Sequence, residues 1–415
     1  MLDAILSGCR VLDLTQNVAG PFCTQTLGDL GAEVIKIERP GSGDDARQWK
    51  PPEVAGVSTG FAALNRNKKS VCIDLDSAAG QQLVARLAAG ADVLVHSLKP
   101  GSAEARGLGD EHLRPTNPRL VYCAISAFGE VGPMRALPGY DPLMQAFTGI
   151  MSVSGHEGDE PARVGVSLID MGTGMWATMA ILAALLRRAT TGEGMRVHAS
   201  LLETGLSWMT VPVANYLATQ RLPRKMGSAM AMMAPYELFD SADGKVFIAA
   251  ANDRLFGRIC SALACPELAQ DPRFIDMSAR IGHREALHDA LEARTRQRST
   301  AACVGSKVWL LATGSSSTRS ATVAWCCPTT SSQSASLMNR RSSSIMLSSG
   351  WLLMASCWTG VGRSRCSASS SCRAVMPMFM VRAARTRLSR SRGASCSSCA
   401  MMWHKVPHTS AWEAL

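Results

Sequence analysis

Along residues 1–300 the apolar positions alternate between short unbroken runs and helical spacing. Arg10–Leu14 is a short apolar run and predicts a buried strand. Ala19-Gly20-Pro21 predicts a turn. Phe22, Thr26 and Leu30 then share one helical face over Phe22–Leu30, which stops at Gly31. Glu33–Glu38 predicts a second strand, ending in the charged pair Glu38-Arg39. Strand, turn, helix and strand within some thirty residues make a βαβ unit and hence a parallel sheet. The pattern recurs in a strand over Ser70–Leu75, a helix over Ser77–Ala89 closed by Gly90, and strands over Asp92–Ser97 and Leu120–Ser126. Val166–Ile169 predicts a strand that feeds through Asp170 into a long helix over Gly172–Ala189. Gly192-Glu193-Gly194 turns the chain into a strand at Arg196–Ala199. Tyr236–Phe239, Asp243-Gly244 and Val246–Ala250 predict a hairpin, and helical periodicity follows through Gln297. The fold class expected is α/β. A parallel-sheet domain spans 1–205, a helical linker 206–225, and a smaller α+β domain 226–300.

Composition changes this picture at one place. The 415 residues carry 43 Lys+Arg and 33 Asp+Glu, a formal charge of +10 that invites a nucleic-acid reading. Residues 301–415 alone contain 13 basic residues against the single acid Glu413, so residues 1–300 sum to −2. The same tail holds 8 of the 14 Cys, 6 of the 9 Trp and 26 Ser, with neither helical nor strand periodicity. Disordered tails are poor in Trp and Cys, whereas shifted GC-rich codons yield Ser, Arg, Cys and Trp together. The tail therefore reads as a frameshift product, disordered, and the charge says nothing of DNA or RNA. Resequencing around codon 300 tests this; an unbroken frame overturns it. The start lacks the basic region and long apolar core of a signal peptide, no stretch reaches the ~18–20 apolar residues of a membrane span, and six scattered Cys before residue 300 fit a reducing cytoplasm.

Asp170 is the sharpest candidate for chemistry. It is expected at the carboxyl edge of the sheet, where open α/β sheets bind ligands. Gly172 and Gly174 would leave room for a substrate, and the adjoining backbone N–H groups could stabilise negative charge. A carboxylate there can act as a covalent nucleophile or as the N-cap of the long helix. Tyr140, after the turn Leu137-Pro138-Gly139, offers a site hydroxyl or a core aromatic. The basic stretches Asn65–Ser70 and Glu38–Asp44, together with Lys99, could converge on a polyphosphate or remain solvated loops. The first turn has no G-x-G-x-x-G, which argues against a dinucleotide, and the eight His show no metal-ligand spacing.

These segments together resemble the class III coenzyme A transferases, the family of formyl-CoA transferase and carnitine CoA-transferase. The text that carries the likeness is Arg10–Gln16, Ala19-Gly20-Pro21, Leu30–Pro40, Asn65–Ser70, Lys99-Pro100-Gly101, Ser126–Gly129, Gly139-Tyr140-Asp141, Asp170 with its glycine-rich helix start, and Tyr236–Phe239 with Asp243-Gly244. The resemblance runs in order from about residue 7 to 297. It implies a Rossmann-like large domain, a small domain and a homodimer of interlocked rings. It implies transfer of CoA from an acyl-CoA thioester to a small carboxylic acid through an aspartyl anhydride and an aspartyl-CoA thioester on Asp170, without metal or resident cofactor. By position it assigns Gln16, Val18, Ala19, Arg39, Lys69, Ser97, Leu98, Lys99 and Arg106 to the CoA groove and Tyr140 to the acyl end. Gln16 stands where formyl-CoA transferase has His, Ser97-Leu98 replaces Asn-Phe, and Ala105 replaces an Arg adjacent to Arg106. These departures point to an acyl group larger and more apolar than formyl or oxalyl. Two alternatives remain: the family's α-methylacyl-CoA racemases, which place a His where Tyr140 stands, and an inactive CoA-binding product lacking its native C-terminus.

Overall fold

The computed structural model describes residues 4–304, 310–313 and 404–405. The expected frameshift tail otherwise lies outside the described residues. These fall into two compact units, one running to Gly227 and including 404–405, the other beginning at Ser228.

The first unit is built on six parallel strands: β1 (Arg10–Leu14), β2 (Glu33–Glu38), β3 (Lys68–Cys72), β4 (Val93–His96), β5 (Val121–Ser126) and β6 (Arg196–Ser200). Their spatial order is β3-β2-β1-β4-β5-β6, with His404–Lys405 pairing antiparallel to β3 at one edge. Val11 sits opposite Val34 of β2 and Val93 of β4, so β1 is buried between neighbours. Val11, Leu12, Asp13 and Leu14 are all buried because both faces are covered. On one face Val11, Val34, Val95 and Cys123 pack against α1 (Ala19–Asp29) and α4 (Leu168–Thr191). On the other, Leu12, Ile35, Leu94 and Tyr122 pack against Val84 and Ala88 of α2 (Ala78–Ala89). In chain order α3 (Asp141–Phe147) falls between α2 and α4, and its Met144 joins the core on the first face. After β6 come α5 (Leu201–Trp208) and α6 (Thr210–Thr219), the second of them within the stretch expected as a helical linker.

Four expectations need correction. The Ala19-Gly20-Pro21 turn is instead the first turn of α1, where Pro lacks only an N–H that would have no partner. β3 begins at Lys68 rather than Ser70: its polar residues were read as loop, but Lys68 and Ser70 are buried. Val166–Ile169 is no strand, since α4 starts at Leu168 and Asp170 lies in its first turn. Finally, among the described residues α4 alone is long and apolar enough to cross a membrane by length and composition. Here its Gly174, Ala177, Ile181 and Ala184 are buried in the core.

The second unit pairs β7 (Tyr236–Ser241) with β8 (Gly244–Ala249) as the expected hairpin, Phe239 opposite Val246. β9 (Leu310–Thr313) adds to β8. Phe239, Val246 and Ile248 form a core with Phe256 and Ile259 of α7 (Asp253–Ala262) and Leu287 and Leu291 of α8 (Arg284–Thr295).

Candidate active site

The strand order reverses between β1 and β4: the chain steps outward through β2 and β3, then returns to β4 beside β1. The crevice outside the carboxyl ends of these two strands is where open α/β sheets take ligands. Residues that follow the two strands meet there. The Gln16 backbone N–H donates to Ser97 Oγ at 3.2 Å, and Gln16 Oε1 accepts from Arg39 Nη2 at 3.0 Å. Arg39 also pairs with Asp45.

Buried charges hold this loop. Thr15 N–H donates to Asp13 Oδ1 at 2.9 Å, and the Thr15 carbonyl accepts from Lys36 Nζ at 2.8 Å. Asn17, at φ 67°, donates its N–H to Asp44 Oδ1 at 3.0 Å. Asp13, Lys36 and Lys68 are buried strand residues; Lys68 Nζ meets Asp13 Oδ2 at 3.0 Å, and Lys36 Nζ meets Asp44 Oδ2 at 2.8 Å. Burial pushes the Asp13 carboxyl up, but Lys36, Lys68 and the hydroxyls of Thr15 and Thr24 outweigh it and hold the group at about 2. Gly20 is required here, because a Cβ would fall 2.3 Å from Thr15 Cβ.

α4 delivers Asp170 to the same edge. A Cβ on Gly174 would lie 2.6 Å from the Ala19 carbonyl oxygen, so the second turn of α4 and the first of α1 touch backbone to backbone. Gly172 likewise admits Thr204 and Trp208 of α5. The two glycines therefore serve helix packing, and the expected open approach to Asp170 is not their effect.

Asp170 does not cap its own helix. Asp141 does so from α3: its Oδ2 accepts the N–H groups of Ile169 at 2.7 Å and Asp170 at 3.1 Å. Those N–H groups are thereby occupied, which overturns their expected use on a substrate's developing charge. Asp141 Oδ1 accepts from Gln145 Nε2 at 2.6 Å, and both side chains are buried. No cation pairs with the Asp170 carboxylate among the described residues. Burial, reinforced by Asp141, raises its carboxyl to about 7.

The CoA-transferase family III model matches residues 6–306. The chain belongs to CoA-transferase family III. The succinyl-CoA:glutarate CoA-transferase of Mus musculus is 42% identical over 296 residues, covering 71% of this chain and 68% of the relative. The succinate–glutarate CoA-transferase of Agrobacterium fabrum is 37% identical over 296 residues, 70% of this chain and 74% of the relative. A solved CAIB/BAIF family protein from Brucella suis aligns with a TM-score of 0.64 at 39% identity, covering 75% of this chain and 84% of that one. The transferase is thus an acyl-CoA:carboxylate CoA-transferase, and the resemblance read from its sequence holds.

The structure brings some of the residues assigned by position together and leaves others apart. Gln16, Arg39 and Ser97 are joined directly. Val18 and Ala19 open α1 beside them, the Val18 carbonyl accepting Phe22 N–H at 2.8 Å. Leu98 and Lys99 follow Ser97 in chain, Leu98 half-buried and Lys99 exposed. Tyr140 is 67% exposed just before α3. Arg106 is turned away to Ser102 and Asp76. Lys69 does not join the group: its Nζ pairs at 2.6 Å with Glu33, which starts β2 and pairs in turn with Arg10 at the start of β1. It therefore serves the amino-terminal end of the sheet. Arg66 pairs with Asp29, so the basic stretch does not converge on one ligand. Sequence reasoning missed the roles of Asp141 and Gln145. Pro142 after Asp141 marks a helix start, but the α4 backbone it caps lies 28 residues away in chain.

Proposed function

We propose that this transferase moves CoA through covalent intermediates on Asp170. The observation that carries the reading is a half-buried carboxylate at the sheet switch point, unpaired with any cation among the described residues and backed by Asp141. Raised basicity makes such a carboxylate a stronger nucleophile. An Asp170 oxygen attacks the donor thioester carbonyl; the C–S bond breaks, giving a mixed anhydride and CoA thiolate. The thiolate attacks the aspartyl carbonyl, releasing the donor's carboxylate and leaving an aspartyl-CoA thioester. The acceptor carboxylate then attacks that carbonyl and expels the thiolate. The thiolate takes the acceptor's acyl group from the new anhydride and frees Asp170. Every step conserves an activated acyl bond, so water must be kept out.

The relatives named for succinyl-CoA and glutarate support succinyl-CoA as donor and a short dicarboxylic acid as acceptor. The racemase alternative needs a second base beside Asp170, and Asp141 is buried with both oxygens accepting N–H groups. A homodimer is supported by the α4 face that carries Met175, Trp176 and Met179, 51%, 45% and 47% exposed. Incubation with succinyl-CoA without acceptor, followed by mass spectrometry of the Asp170 peptide, tests the mechanism. A CoA adduct on Asp170 is expected, and an unmodified peptide in protein that turns over overturns the reading.

A further inference from the structure

Asp141 and Gln145 form a buried pair that touches the nucleophile's segment at two points. Asp141 holds the backbone N–H groups of Ile169 and Asp170. Gln145 Oε1 accepts the N–H of Val164 at 2.8 Å, while its Nε2 donates to Asp141 Oδ1 at 2.6 Å. A backbone N–H can only donate, so Val164 fixes which way the Gln145 amide faces. The amide therefore presents its NH₂ group to Asp141, whose two oxygens then meet three N–H donors. All three donors are met by the two carboxylate oxygens, and this set lies directly behind the Asp170 backbone.

We propose that Asp141, oriented by Gln145, is a positioning residue for CoA transfer: it clamps the Asp170 backbone and fixes a negative charge behind the nucleophilic carboxylate. This rests on the reading of Asp170 as the group that receives CoA. The other elements packed on the start of α4 offer no competing charge among the described residues. α1 presents Ala19, Phe22 and Cys23, and its Asp29 lies at the far end, paired with Arg66. α5 presents Thr204 and Trp208, and its Glu203 turns to Ser200 and His198. Besides Asp141, α3 carries no charged side chain. The neighbouring carboxylate adds to burial in making Asp170 more basic and thus a better nucleophile.

Two variants separate the charge from the hydrogen bonds. Asp141→Asn keeps an oxygen for the α4 backbone but sets its NH₂ against that of Gln145. Asp141→Asn with Gln145→Glu restores every bond: the Asn oxygen takes Ile169 and Asp170, its NH₂ donates to the Glu, and the Glu accepts Val164. In the double variant the charge survives one residue further from Asp170. The rate of CoA-adduct formation on the Asp170 peptide, with succinyl-CoA as probe, is measured from pH 5 to 9. In wild type it rises through a midpoint near 7. In Asp141→Asn the midpoint falls by about one pH unit, with a plateau lower by about tenfold or more. The double variant folds like wild type and has a midpoint between the two. Variants that form the adduct with an unmoved midpoint overturn the inference and leave the Asp170 reading standing. Wild-type protein without an adduct on Asp170 overturns both.

Discussion

Two carboxylates at one edge of one sheet, Asp13 buried and Asp170 half-buried, have opposite fates. Asp13, under the loop after β1, sits among Lys36, Lys68 and two hydroxyls, and these hold its carboxyl at about 2 despite full burial. Asp170, at the start of α4, meets another carboxylate instead, and its carboxyl rises to about 7. Burial opposes charge in both places, so the difference comes from the neighbours. Where cations surround the acid, the charge is spent on structure and fixes Thr15 and the backbone on either side of Gln16. Where a like charge backs it, the acid is left basic and reactive. A carboxylate's chemistry in this fold follows from what the adjacent element brings to it, not from depth.

The comparison can be broken from the side of function first. Asp170→Asn is expected to lower CoA transfer by about 10⁴-fold or more, measured as kcat/KM with succinyl-CoA and glutarate, because the covalent route is removed. The same change should stabilise the fold. Asp170 is ionised above about pH 4 in the unfolded chain but resists ionisation up to about 7 when folded, so the folded state loses stability across that window as pH rises. Chemical denaturation should show a gain of about 1–2 kcal/mol at pH 8 and none at pH 4. A variant no more stable than wild type at pH 8 would mean that Asp170 is not held under strain.

From the side of structure, Lys68→Met leaves Asp13 with less compensation. A loss of about 3–5 kcal/mol in the same denaturation assay is expected, since removing one partner strands a buried charge. A loss under 1 kcal/mol would show that Lys36 and the hydroxyls suffice. The acid side gives a milder test. Glu38 is also held at about 2: burial pushes it up, but Arg47, Ser70 and the Asp44 N–H outweigh burial. Carboxyls with lowered folded values contribute stability that is complete above about pH 5 and lost as pH falls from about 4 through 2. Thermal melts across that range should therefore fall steeply, and less so in Asp13→Asn. The smallest effect belongs to Arg39→Ala. Its partners are half exposed, so KM for the acyl-CoA should rise by about three- to tenfold with kcat little changed.

Much of this was legible in the sequence. β1 and β2 match their expected bounds residue for residue, because central parallel strands are buried on both faces and mostly apolar, Asp13 and Lys36 excepted. Gly90 and Gly192 mark helix ends, and Asp243-Gly244 marks the hairpin turn. Asp170 stood out by position. What was illegible depended on contacts distant in chain. Nothing local shows that Asp141 caps a helix beginning at residue 168, so a strand was expected where a capped helix start lies. Nothing local shows that Gly172 and Gly174 face α5 and α1. Lys68 and Lys69 read alike in sequence, yet strand alternation sends Lys68 inward to Asp13 and Lys69 out to Glu33.

The central claim is that Asp170 is kept basic by burial and by Asp141. Its most direct test is the titration of Asp170 in the unliganded protein, followed by NMR of carboxyl-carbon-labelled aspartates with Asp170→Asn as the assignment control. The account predicts a midpoint near 7. A midpoint near the ordinary aspartate value of about 4 would contradict it.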